Sequence, residues 1–161
     1  MGYLGGDWLH IRRAENIAKM MQRAKERLEA WAVKDAEPAS LTIALPILRG
    51  AADESREQIQ DLWARLLAAA MDPSKTKHVR QRFAAVIQQM DPPDALLLAS
   101  PSLRDRAGRI QQPDRNVVAQ ELHISRAQLD VTLANLATLG VFFEPSIGGS
   151  AVGTTPFGYK E

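Results

Sequence analysis

The stretch Val117-Val-Ala-Gln-Glu-Leu-His-Ile-Ser-Arg-Ala-Gln-Leu-Asp-Val-Thr-Leu-Ala-Asn-Leu-Ala-Thr-Leu-Gly-Val-Phe-Phe143 decides the fold. Val117, Val118, Ala119 and Leu122 form the inner face of a short helix, and the period breaks at His123-Ile124. Ser125 is a hydroxyl placed to cap a second helix that carries Leu129, Val131, Leu133, Leu136 and Leu139. Gly140 supplies a C-terminal cap, after which Val141-Phe-Phe is β-branched and aromatic. Gly148-Gly149 reads as a hairpin tip, with Ala151 to Thr155 as the returning strand. Two helices, a tight turn and a hairpin in this order predict a winged helix-turn-helix over residues 113–158.

Upstream, residues 1–112 read as a helical body, so the expected fold class is mainly α. Trp8, Ile11, Ile17, Met20, Met21, Ala24, Leu28 and Trp31 recur every three or four positions, predicting one long amphipathic helix over 7–33. Further helices are expected at about 41–49, where Pro46 needs a turn or kink and Gly50 ends or bends the element, and at 55–72, capped by Ser55. The pattern Val79, Phe83, Val86, Ile87, Met90 predicts another over 75–90, and Asp91-Pro-Pro-Asp starts one over 92–99. Residues 100–112 give no clear pattern.

Charge is unevenly spread. Residues 1–34 carry seven Lys/Arg against four Asp/Glu, 35–72 three against seven, 73–112 seven against three, and 113–161 three against five. Positive charge therefore lies in the first helix and the middle, away from the winged module, whereas a nucleic-acid reader concentrates it where phosphate is met. The chain has no cysteine, which excludes disulfides and thiolate chemistry and fits a reducing cytoplasm. No apolar run reaches membrane-span length, and the first residues do not read as a secretory signal.

Catalytic constellations are missing. His10, His78 and His123 are scattered without metal-ligand spacing, no phosphate-cradling loop or nucleophile elbow occurs, and Asp53, Glu54 and Glu57 suit the leading turns of a helix. The expectation is a non-enzymatic protein with no cofactor, no metal and no small-molecule substrate. Trp63, Leu66, Leu67 and Ala68 to Ala70 read as a packing face, with Arg65 a locally paired charge.

Three blocks carry a resemblance. Leu45-Pro-Ile-Leu-Arg-Gly-Ala-Ala, Leu62-Trp-Ala-Arg-Leu-Leu-Ala-Ala-Ala-Met-Asp-Pro and Ile87-Gln-Gln-Met-Asp-Pro-Pro-Asp-Ala-Leu-Leu-Leu, with Arg13 and Asn16 in the leading helix and Thr155-Pro-Phe-Gly near the end, resemble the bacterial abortive-infection alpha family. The likeness spans about residues 7–158. It departs at Met90-Asp-Pro-Pro-Asp, where a Leu-Ser-Pro-x-Asp-Ala pattern is more usual, and at 100–112. What the resemblance implies is a role associated with anti-phage defence.

Three kinds of partner follow from these residues. A protein partner or a second copy would dock on Trp8, Ile11, Arg12, Arg13, Met20, Met21 and Trp31 of the first helix. DNA would be read by Arg126, Gln128 and Asn135 on the second helix of the winged module, with Arg104, Arg106 and Arg109 adding phosphate contacts. An anionic membrane surface would engage Arg12, Arg13, Lys19, Arg23, Lys25 and Arg27, diluted by Glu15, Glu26 and Glu29.

Overall fold

The computed structural model describes residues 4–103 and 114–141, and every regular element in them is helical. The chain divides into two compact units, Met1–Gln89 and Met90–Glu161.

The first unit holds α1 (Leu4–Ala30), α2 (Leu41–Ala52), α3 (Glu57–Met71) and the short α4 (Arg82–Ile87). Helix α3 is its centre, and α1, α2 and α4 all pack against it. Trp63, Ala64, Ala68 and Ile59 are almost wholly buried, as are Met20 and Ala24 of α1 and Ile47 and Ala51 of α2. Alanines on a packing face let helix axes approach closely, which is what the run after Trp63 provides.

Gly50 sets how near α2 can come. A Cβ on it would stand 2.3 Å from Cζ2 of Trp63, so the indole occupies the volume of the missing side chain. Gly50 therefore does not end α2; the helix runs on to Ala52. The propensity cost of a helical glycine, about 1 kcal/mol, is outweighed by burying an indole, whose removal from a core costs roughly 3 kcal/mol or more.

The first turn of α3 is held from behind. Its N-cap is Arg56, with no side-chain cap, and Ser55 lies outside the helix. Instead the Gln60 amide donates to the carbonyls of Ala51 and Glu54, and Glu54 accepts from the Arg56 N–H at 2.8 Å. At the other end, buried Asp72 accepts from the Ser74 N–H and hydroxyl and from Lys75, whose ammonium also sits 4.0 Å over the Trp31 ring. This local knot breaks the helix expected over 75–90 into a 3₁₀ turn at Thr76–His78 and α4, with Val79 extended between them.

Helix α1 also ends early. Ala32 is left-handed (φ 55°), the Val33 N–H donates to Leu28 O, and the Ala32 N–H donates to Glu29 O, a Schellman closure without its usual glycine.

The second unit contains α5 (Pro92–Ala99), α6 (Arg115–Glu121) and α7 (Arg126–Thr138), and α7 packs on both α5 and α6. The Asp91 N–H donates to Asp94, completing a start that Pro92 permits. Asp114 caps α6, and Ser125 and Gln128 form a capping box for α7. The intervening turn closes on left-handed His123, with the Ile124 N–H donating to Ala119 O.

The expected wing does not begin where the sequence places its first strand. Val141, read as the start of a strand, closes α7: its N–H donates to Leu136 O, its side chain is buried, and Gly140 takes the left-handed position. No strand occurs among the described residues. The hairpin expected around Gly148-Gly149 lies outside them.

Replacing Gly50 with Ala is expected to lower unfolding stability by about 1–3 kcal/mol despite alanine's better helix propensity, because the new methyl overpacks the indole. Urea unfolding followed by circular dichroism checks this, and a stabilised Gly50→Ala would contradict the packing described. Asp72 supplies the pH-dependent case. Burial alone would raise its carboxyl, but the Lys75 ammonium and the Ser74 donors outweigh that and hold it below its ordinary 3.8. The folded chain thus binds this proton less readily than the unfolded one, so the stabilisation is present above the ordinary value and disappears as pH falls through the lowered one. Asp72→Asn should cost about 1–2 kcal/mol near neutrality, and thermal melts across acid pH should show a shallower loss than the parent.

Candidate functional site

Helix α1 has two sides with different duties. Arg13 reaches Asp53 at 2.6 Å, Asn16 donates to the Ala52 carbonyl, Arg23 bridges to Glu57, and Arg27 pairs with Asp61 at 2.5 Å. These contacts pin the helix to the end of α2 and the start of α3. The basic first segment and the acidic second one, separate in sequence, neutralise each other in the fold.

The other side is bare. Residues 5–15 are all exposed, Trp8 at 60% and Ile11 at 58%, and farther along Met21 stands at 54%. Arg12 lies 5.8 Å from the centre of the Trp8 ring and pairs with Glu15. The residues expected to bind a partner therefore separate. Trp8, Ile11, Arg12 and Met21 are on the surface, Arg13 is tied to the body, Met20 is fully buried, and Trp31 is half-buried beneath Lys75. Of the basic set expected to meet a membrane, Arg13, Arg23 and Arg27 are spent on the body and Arg12 on Glu15. Among the described residues no helix is long and apolar enough to cross a membrane.

The expected DNA readers are also redistributed. Gln128 accepts from the Ser125 N–H at 2.9 Å, which commits its amide to the capping box. Asn135 turns towards α5 and donates to Asp94 at 2.6 Å. Arg126 is exposed and holds Asn116 of α6. Beside it the outward face of α7 presents Ala127, Val131, Ala134 and Thr138, and Arg115 is paired with Asp130. Arg104, Arg106 and Arg109 lie outside the described residues.

Two features escaped the sequence. One is the Asp94–Asn135 pair, in which burial and the neighbouring Asp91 charge raise the carboxyl while hydrogen bonds from Asp91 and Asn135 oppose that rise. The other is a solvent-open cleft of about 350 Å³ lined by Arg49, Gly50, Asp53, Glu54, Trp63 and Gln88. Its carboxylates are occupied, Asp53 by Arg13 and Glu54 by Arg56. Arg65, on the same helix as Trp63, is paired with Asp61 at 3.6 Å. Among the described residues no group of three His, Asp or Glu could hold a metal ion.

Asn135 positions α5, so Asn135→Ala should destabilise the protein by about 1–3 kcal/mol by removing one of the two donors to the buried Asp94 carboxylate and leaving it only the Asp91 N–H. Differential scanning calorimetry measures this directly. An unchanged melting transition would return Asn135 to the list of surface readers.

Neither a curated protein nor a solved structure matches the chain. The family model described as abortive infection alpha matches residues 12–146. That span covers α2 and α3, the Gly50–Trp63 contact, and Arg13 and Asn16, which anchor α1 to the end of α2. The chain belongs to the abortive infection alpha family.

Proposed function

We propose that this protein is a non-enzymatic component of abortive-infection defence that works by docking through the bare side of α1. The observation that carries this reading is the exposure of Trp8, Ile11 and Met21 on a helix whose opposite side is fixed to the body by polar contacts from four residues, Arg13, Asn16, Arg23 and Arg27. Large apolar side chains on a rigid, well-anchored element are what a macromolecular partner can use, because little ordering remains to be paid at binding.

DNA is the second reading. It is favoured by the order α6, turn, α7 with Arg126 exposed at the start of α7, an arrangement of helix-turn-helix type that a wing would complete. It is weakened by the commitment of Gln128 and Asn135 to structural hydrogen bonds and by an outer α7 face of Ala, Val, Ala and Thr.

The test is phage plating on a host carrying the protein. Ile11→Glu combined with Trp8→Ser is expected to abolish protection, with the melting temperature of the purified variant unchanged, whereas Arg126→Ala leaves protection intact. Full protection by the α1 variant, or its loss in Arg126→Ala alone, would overturn the docking reading.

A further inference from the structure

Along the bare side of α1, Asp7, Ile11, Ala14, Ala18, Met21 and Lys25 follow one another at spacings of four, three, four, three and four, the seam of a two-stranded coiled coil. All six are exposed. The seam faces away from Arg13, Asn16, Arg23 and Arg27, which hold the body, so no element among the described residues covers it.

The order of the six residues is symmetric in a particular sense. Read in one direction it runs acid, large apolar, small, small, large apolar, base, and reversal exchanges only the two charges. Among the described residues neither Asp7 nor Lys25 has an ion-pair partner of its own. We propose that this seam pairs with the same seam of a second copy, antiparallel, with Asp7 of each copy against Lys25 of the other, Ile11 against Met21, and Ala14 against Ala18. The proposal rests on the reading of α1 as the docking element and names its occupant.

The alternative arrangements fit less well. Parallel pairing would set Asp7 beside Asp7 and Lys25 beside Lys25, a repulsion at both ends, and would align the helix dipoles. In the antiparallel register the alanines meet at the two-fold axis, where small side chains let backbones approach, and the bulky residues close over them on either side. A membrane surface would have to accommodate Asp7, Glu15 and Glu26 on or beside the same apolar strip.

The chain lacks cysteine, which makes the register directly testable. Sedimentation equilibrium of the full chain from about 5 to about 100 µM is expected to show a monomer–dimer equilibrium. Asp7→Lys and Lys25→Asp should each weaken it about tenfold, and the double swap should restore it. On oxidation, a mixture of Ala14→Cys and Ala18→Cys proteins should give mainly the mixed disulfide. A monomer throughout, disulfides mainly within each variant, or a double swap no tighter than the single changes overturns the pairing. Ala18→Glu separates this from the functional reading. If it splits the dimer while phage protection persists, the pairing stands and the docking role falls. If the parent is monomeric while Ile11→Glu still abolishes protection, the pairing is overturned and the docking role stands with a foreign partner.

Discussion

The first unit is organised around a side chain that is absent. The benzo edge of Trp63 lies within 2.3 Å of where a Cβ on residue 50 would be, so α2 reaches α3 only because that position is glycine. With α2 fixed, its last residues fall under α1, where Asp53 and the Ala52 carbonyl receive Arg13 and Asn16. The start of α3 follows, since Gln60 takes hold of the Ala51 and Glu54 carbonyls. One tight contact thereby sets the seating of three helices, and with it the orientation in which α1 presents its other side.

The ion pairs along α1 contribute little to stability individually, because most are substantially solvent-exposed. Their effect is on rotation of the helix about its own axis. Apolar burial of Met20, Ala24 and Leu28 is tolerant of small rotations, whereas arginines reaching fixed carboxylates are not. Three arginines of the positive first segment, Arg13, Arg23 and Arg27, are thus held inside the unit, leaving Arg12, Lys19 and Lys25 on the outward side.

Much of this was legible beforehand. The periods gave α1 and α3, the Asp91-Pro-Pro-Asp start gave α5, and Ser125 and Gly140 marked helix ends where the backbone does stop. What failed did so for tertiary reasons. Gly50 carries the signal of a helix end, and only the indole from α3 explains why the helix continues. Ser55 has the chemistry of a cap, but the Glu54 carboxylate and Gln60 took over that work. Trp31 and Asp72 are far apart in sequence, and the Lys75 that joins them breaks a helix the periodicity favours. At the candidate site the exposed stripe of α1 was visible as excess apolar residues on a charged helix. The withdrawal of Gln128 and Asn135 was not, because their fates depend on Ser125 and on a buried Asp94.

The three tryptophans stand at graded depths, Trp8 60% exposed, Trp31 half-buried beneath an ammonium and Trp63 1% exposed. Optically, the chain carries its own depth scale. Emission from Trp63 reports the packing of α2 on α3, that of Trp31 the junction between the ends of α1 and α3, and that of Trp8 whatever comes to lie on the free helix. A partner arriving on α1 would change the colour of one indole and leave the other two as internal references.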